Sequence, residues 1–351
     1  MKVVFSSNSS WNLYNFRKGL IKNLINKNYE IIILAPKDNY TILLENMGCK
    51  FYNININSRG LHLLTDIKLI LNYYRILKII KPNFFVSFTV KPNIYGSFVA
   101  NFLNYKVINT VSGLGKVFIN KSILEFIIIF LYQFSFRKSY KVFFHNDDDL
   151  KLFLNKKIIK NHQSHVIPGS GVDIKSFNFK PLPKAKDSEY NFLYIGRMIY
   201  EKGVVDLIKA AEEVCKIYPN INFILIGQIK KNNKDFLDLN YINNISKNIP
   251  IHYLGESNNV KKFIEECHCV ILPSYREGLP KSILEAGSIG RPSLVSNVPG
   301  CRHIIRENVN GYLFEVKNYK SLAKSIVRFI ELNDTEKHNM SLNSRKIIEE
   351  N

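Results

Sequence analysis

A chain of 351 residues that is 46% hydrophobic and 22% charged has the composition of a folded protein and the length of two domains, so wholesale disorder and a single small core are both excluded. Its formal net charge is +20, and residues 1–168 hold 23 Lys and Arg against 8 Asp and Glu, so the first half carries +15 of it and attracts polyanions: nucleic acid, anionic headgroups or a diphosphate. Five scattered cysteines exclude a disulfide framework, and the opening MKVVFSS lacks the apolar core and cleavage site of a signal peptide, so a cytosolic location is expected.

Short β-rich runs at 3–5, 30–34, 84–88, 106–111 and 141–144 alternate with segments, such as 15–28 and 64–80, whose apolar residues recur at three- and four-residue spacing. That alternation predicts a parallel sheet wrapped by crossover helices. The apolar stretch 123–136 is too short to span a membrane and contains Glu125 and Gln133, but Lys116, Lys121, Arg137, Lys138 and Lys141 bracket it. It reads either as a core helix or as one lying in the headgroup layer of an anionic membrane, and the charge of the first half favours the second. Asp147 to Asp149 follow an apolar run and imitate a D-x-D metal site. Leu150, Phe153 and Leu154 continue as a helix, however, so the acidic cluster is read as its cap and first turn.

Around 168–183 periodicity gives way to Pro and Gly, which predicts a first domain over 1–168, a linker over 169–183 and a second domain over 184–351. A second series of strands follows at 191–195, 221–226, 251–254, 270–272 and 293–296. Cys267-His268-Cys269 leads into one of them and reads as a buried helix-to-strand junction, since no second ligand pair stands at zinc spacing. The eight histidines show no metal spacing and no nucleophile triad, and no G-x-G-x-x-G follows the first strand, which disfavours a dehydrogenase.

Two segments of the second half carry chemistry. Gly196-Arg197 to Lys202-Gly203 follows a strand and precedes a helix, where unpaired N–H groups and two cations suit a phosphate, although a plain surface loop has the same look. In Glu277-Gly278-Leu279-Pro280 to Glu285, Gly278 permits close backbone approach and Pro280 suits a helix start. One carboxylate then stands at the helix mouth and another on its flank, spaced for the hydroxyls of one ligand, although two solvated glutamates around a helix start are the plainer reading of this motif by itself.

The order of these motifs, continued by Gly290-Arg291-Pro292, Pro299-Gly300 and Asn310-Gly311, resembles the retaining family 4 glycosyltransferases, with Glu277 and Glu285 as an E-x7-E element. The resemblance implies the GT-B fold: α/β, two facing Rossmann-like domains with parallel sheets and a cleft between them. It further implies that Gly196, Arg197, Lys202, Glu277, Gly278, Leu279, Pro280 and Glu285 bind the donor. Arg197 and Lys202 would hold its diphosphate, Glu277 the transferred sugar and Glu285 the ribose.

The first half is similar to a bacterial subgroup that extends lipid-diphosphate-linked oligosaccharides. That likeness rests on Asn15-Phe16-Arg17, Lys91-Pro92-Asn93, Thr110 to Gly115 and Gly169-Ser170-Gly171, and it makes Arg17, Lys91, Asn93, Gly113, Gly115 and Gly171 candidates for the acceptor side. Gly113 and Gly115 suit either a phosphate or a tight turn. The implied partners are a nucleotide sugar, a lipid-linked glycan and an anionic membrane surface on its cytoplasmic face, with no metal, no cofactor and no nucleic acid.

Two features depart from the family pattern. Ser6 to Trp11 replaces a Gly-rich first loop, and Asn351 falls inside a helical pattern where the family runs on into a helix that returns to the first domain, which implies an incomplete C-terminus. The rivals are a GT-B nucleotide-sugar epimerase and, from charge alone, a nucleic-acid-binding protein without a recognisable reading module.

Overall fold

The structure, a computed structural model, describes residues 1–350 except 58, 59, 61, 115–117, 119–122, 186–188, 231 and 232. Gly115, Lys116 and Lys121 therefore lie outside the described residues. The chain divides into two units, Met1–Ser170 and Gly171–Asn351.

The first unit is a seven-stranded parallel sheet. Its strands are β1 (Lys2–Ser6), β2 (Glu30–Ala35), β3 (Lys50–Asn53), β4 (Phe84–Phe88), β5 (Lys106–Val111), β6 (Lys141–Phe144) and β7 (Ser164–Val166), in the order β3-β2-β1-β4-β5-β6-β7. Helices α1 (Ser10–Asn26), α2 (Thr41–Asn46), α3 (Leu63–Ile80), α4 (Ser97–Phe102), α5 (Ile123–Phe136) and α6 (Asp147–Asn155) cover it. Because strand side chains alternate, β1 sends Val3 and Phe5 into one core with Leu13 and Ile21, and Val4 into another with Tyr73 and Phe85.

The second unit is a six-stranded parallel sheet of β8 (Tyr190–Ile195), β9 (Ile221–Ile226), β10 (Ile251–Tyr253), β11 (Cys269–Leu272), β12 (Ser293–Ser296) and β13 (Gly311–Phe314), in the order β10-β9-β8-β11-β12-β13. Its helices are α7 (Val204–Cys215), α8 (Leu239–Ile245), α9 (Val260–Glu266), α10 (Lys281–Ile289), α11 (Cys301–Ile304), α12 (Tyr319–Glu331) and α13 (Asp334–Glu350).

Every strand expected from the sequence is present. Three that were not expected, β3, β7 and β13, are edge strands, and β3 and β7 are half-open KFYN and SHV with no apolar run to betray them. Helix α1 begins five residues before its apolar periodicity does, because Ser9 caps it by accepting from the Asn12 N–H at 3.1 Å. Asp147 to Asp149 form the first turn of α6, with Asn146 accepting from the Asp149 N–H at 2.8 Å, so the acidic cluster is a cap as read. Cys267, His268 and Cys269 are buried at the α9 to β11 junction.

The segment read as a linker belongs largely to the second unit. Lys180 N–H donates to the Ile289 carbonyl at 3.0 Å, Ser288 Oγ donates to Phe177 O at 2.6 Å, and Arg345 reaches Phe177 O at 3.0 Å. Arg291, fully buried, donates to the carbonyls of Ile264 (2.9 Å), Glu265 (2.9 Å), Lys180 (2.8 Å) and Pro181 (3.1 Å), and so fastens this segment to the end of α9. Pro and Gly end periodicity there without freeing the chain, because its backbone carbonyls find a buried guanidinium. Arg291→Met leaves these carbonyls without their donor, and each buried unpaired group costs ~1–3 kcal/mol. A loss of at least ~3 kcal/mol in urea denaturation is the expected result.

Candidate functional site

In a parallel sheet ligands bind beyond the carboxyl ends of the strands where strand order reverses. In the second unit that point lies between β8 and β11, and the loops leaving these strands are the two motif segments. They meet: Lys202 from the loop after β8 forms an ion pair with Glu277 from the loop after β11, both side chains being largely buried. Tyr275 N–H donates to Glu201 O at 2.9 Å, joining the same two loops.

The glycines here are steric necessities. Gly203 has φ +69°, and a Cβ on it would lie 2.0 Å from the Pro273 carbonyl oxygen. Gly300, at φ +80°, would set a Cβ 2.2 Å from Gly278 O and 2.9 Å from Glu277 O. The loop before α11 thus braces the backbone that presents Glu277.

Gly196 N–H donates to Ile226 O at 2.9 Å, and the buried Tyr194 hydroxyl donates to Arg197 O at 2.9 Å. Arg197 is thereby fixed by its backbone, with its side chain exposed. Gly278 and Pro280 are buried and Leu279 is half-buried, leading into α10 with Pro280 as its N-terminal boundary. Glu285 lies along α10, buried, and burial raises its pKa above the ordinary carboxylate value while Lys281, 3.2 Å away, pulls it back. Lys281 was not singled out from the sequence, although its i,i+4 spacing to Glu285 on one helix is a readable signal.

The acceptor-side candidates of the first unit separate. Lys91 is committed internally: its Nζ lies 2.6 Å from Asp66 Oδ1, and Tyr95 Oη donates to Asp66 Oδ2 at 3.0 Å. Asn93 is buried in a polar cluster, accepting from Ser87 Oγ at 2.7 Å and donating to Thr110 O at 3.0 Å. Gly113, at φ +141°, follows β5, and Gly171, at φ +68°, opens the second unit. Arg17 is buried on α1 with its guanidinium 4.4 Å from the centre of the Phe88 ring.

Helix α5 has two apolar faces. Ile128, Ile129, Tyr132 and Phe136 enter the core, whereas Phe126 (71% exposed), Phe130 (66%) and Phe134 (59%) stand outside with Ile123 and Ile127. Arg137 and Lys138 follow, both exposed. Among the described residues no helix is long and apolar enough to cross a membrane.

Two parallel-sheet α/β units with paired motif loops at the switch point of the second have the architecture of the GT-B fold class. Residues 175–347 match the family model for glycosyl transferases group 1 and residues 2–146 match that for glycosyl transferase 4-like domains, and the chain belongs to this family. It is 27% identical, over 94% of its length and 90% of the relative's, to the N,N'-diacetylbacillosaminyl-diphospho-undecaprenol alpha-1,3-N-acetylgalactosaminyltransferase of Campylobacter jejuni. It is 25% identical, over 77% of this chain and 72% of the relative, to the UDP-Gal:alpha-D-GlcNAc-diphosphoundecaprenol alpha-1,3-galactosyltransferase of Escherichia coli. Anabaena HepE, solved with UDP and glucose, shares the fold with a TM-score of 0.80 and 17% identity, covering 100% of this chain and 95% of that one.

The bracing by Gly300 is testable. Gly300→Ala is expected to destabilise the protein by ~2–3 kcal/mol in urea, through strain and displacement of Gly278. Gly255→Ala is the control, since Gly255 has φ +76° but nothing within 4 Å of its would-be Cβ, and costs only the backbone term of ~1–2 kcal/mol.

Proposed function

We propose that the chain transfers a hexosyl or N-acetylhexosaminyl group from a nucleotide-diphosphate donor to a glycan carried on a lipid diphosphate, with retention of anomeric configuration. The Lys202–Glu277 pair at the switch point of the second sheet carries the reading. It puts a cation and a carboxylate side by side where a diphosphate and the sugar attached to it need opposite chemistry. The names of the two curated relatives, each an alpha-1,3-transferase acting on a diphosphoundecaprenol-linked sugar, support the acceptor class.

In this reading Lys202 and Arg197 bind the donor diphosphate, Glu277 orients the sugar through its hydroxyls, and Glu285 accepts from the ribose. The bond from the anomeric carbon to the diphosphate oxygen breaks, and the two cations stabilise the charge gathering on the departing diphosphate. An acceptor hydroxyl attacks the same face and gives its proton to a departing phosphate oxygen. Retention then requires no protein base, and the charge needed on the leaving group comes from side chains instead of a metal.

Lys202→Ala and Arg197→Ala each remove charge-assisted hydrogen bonds worth ~1.5–3 kcal/mol, so kcat/KM falls ~10- to 100-fold for each. Far-UV circular dichroism stays unchanged. Wild-type turnover in both variants refutes the donor assignment, loss of turnover on chelating divalent cations refutes the metal-free mechanism, and an inverted anomeric product by NMR refutes retention.

The outer face of α5 supports docking on the cytoplasmic face of an anionic membrane, with Phe126, Phe130 and Phe134 among the acyl chains and Arg137 and Lys138 at the headgroups. Co-sedimentation with vesicles is expected to rise with anionic lipid and fall with salt. Phe126→Ser with Phe130→Ser abolishes it, and Arg137→Gln with Lys138→Gln weakens it. Equal partition onto neutral and anionic vesicles, or none onto either, defeats docking.

A further inference from the structure

We infer that Arg17 and His145 form a built anion site in the first unit, and that it takes a phosphoryl group of the diphosphate on the acceptor lipid. The inference rests on the proposed lipid-diphosphate acceptor for its ligand, and on the fold for its geometry.

Among the described residues, Arg17 is a buried cation without an internal counter-ion. Its residue is 7% exposed, its guanidinium lies over the Phe88 ring, and its Nε has no hydrogen-bond partner. Burial alone lowers its pKa to about 10, with no carboxylate offsetting the loss of solvent. Among the described residues the other buried cations are matched. Arg291 has its carbonyls, Lys91 has Asp66, and Lys337 donates to Tyr190 Oη at 2.9 Å and Ile330 O at 2.8 Å. A guanidinium held dry without an acceptor is costly, and the fold tolerates it where a ligand supplies the missing charge.

His145 is the second such group. It is 5% exposed, and its Nε2 is buried without a partner. It lies on the same face of the sheet as Phe88. The register pairs Phe88 with Thr110 and Thr110 with Phe143, so the three side chains form one row, and His145, two residues beyond Phe143, leaves the carboxyl end of β6 on that side. Burial, and then the charge of Arg17, depress the His145 pKa to about 3, which places both groups in one field. Between them runs the end of β5, where Gly113 at φ +141° keeps the backbone clear of a side chain. The two groups share a face of the sheet at its carboxyl edge, each with a buried ring or guanidinium nitrogen unpartnered, one of them cationic. A tetrahedral anion satisfies both: Arg17 Nε–H donates to one oxygen, and His145 donates from Nε2 to another.

Calorimetric titration of the full chain with a short-chain isoprenyl diphosphate, inorganic pyrophosphate and UDP tests this. With saturating UDP occupying the proposed donor site, both isoprenyl diphosphate and pyrophosphate are expected to bind, Arg17→Met to weaken both at least tenfold and His145→Phe to weaken them severalfold, while UDP titrated alone binds as in wild type. Without ligand, Arg17→Met melts at or above the wild-type temperature, because the unpaired cation is gone, whereas loss of a packing residue lowers it. Undiminished affinity of Arg17→Met for both diphosphates overturns the site, and so does a lowered melting temperature with unchanged binding. Binding of pyrophosphate alone overturns the lipid as its source, and loss of UDP binding in its place moves Arg17 to the donor.

The anion site and the transfer reading fail separately. If wild type glycosylates a lipid diphosphate while Arg17→Met binds the isoprenyl diphosphate normally, only the anion site falls. If wild type glycosylates no such acceptor yet binds pyrophosphate through Arg17, only the transfer reading falls.

Discussion

Strand order in a parallel sheet can reverse without a change of strand direction, and that reversal is the constraint on which both units depend. From β8 the chain steps to β9 and β10 on one side and then returns to β11 on the other. The loops after β8 and β11 therefore diverge and leave the sheet edge open between them. Lys202 and Glu277 come from these two loops and meet across the opening, although 75 residues separate them. The first sheet repeats the device at β1 and β4, where the Asn8 N–H donates to Thr89 Oγ1 at 3.2 Å across the reversal. Loops brought this close leave no room for side chains at their crossing points, and for that reason the positions facing Pro273 and Gly278 are glycines.

Buried charge follows a consistent rule in most of the molecule. Cations taken out of water are placed on carbonyls that helices and strands leave without donors, as Arg291 is at the end of α9 and Lys337 at the end of α12. Such groups act as fasteners, and their neighbours determine them completely. Arg17 departs from the rule, because its guanidinium lies over the Phe88 ring and burial alone shifts its pKa, with no carboxylate offsetting the loss of solvent. The same contrast separates Lys91 from Lys202. Lys91 lies with Asp66, Tyr95 and the His62 backbone in a closed polar cluster, whereas Lys202 and Glu277 form one pair at a sheet edge.

Interior strands were legible because a strand covered on both faces has to be apolar along most of its length, as residues 31–35 of β2 and 270–272 of β11 are. Edge strands escape that requirement, and with it the signal. The motif loops were legible for a different reason: backbone crowding admits few residue types, so Gly203 and Gly300 carry their environment in their identity. Partners distant in the chain were not legible. The sequence presents Lys91 as a cation beside a strand end, and nothing local reveals that Asp66 will neutralise it. The hold of Tyr194 on the Arg197 carbonyl is equally hidden, since a strand tyrosine there reads only as core.

Helix α5 shows why periodicity alone left two readings open. An amphipathic helix of a soluble protein turns its polar residues outward, so Glu125 and Gln133 within an apolar run look like the water-facing side. Here they form a seam with α6. Glu125 lies 3.8 Å from Lys156 Nζ, and Gln133 donates to Lys156 O at 2.8 Å, at the C-terminal end of that helix. With the polar residues spent on a neighbour and Ile128, Tyr132 and Phe136 spent on the core, Phe126 and Phe130 have only the outer face left, and Phe134 stays 59% exposed while its ring packs 5.3 Å from that of Phe98. Aqueous solvent gives no reason to keep three phenylalanines there at four-residue spacing beside an exposed Arg137 and Lys138. In the proposed docking a hydrocarbon layer with anionic headgroups would take the rings and the charges at their respective depths, and it is also where a glycan anchored by a lipid tail would have to be met.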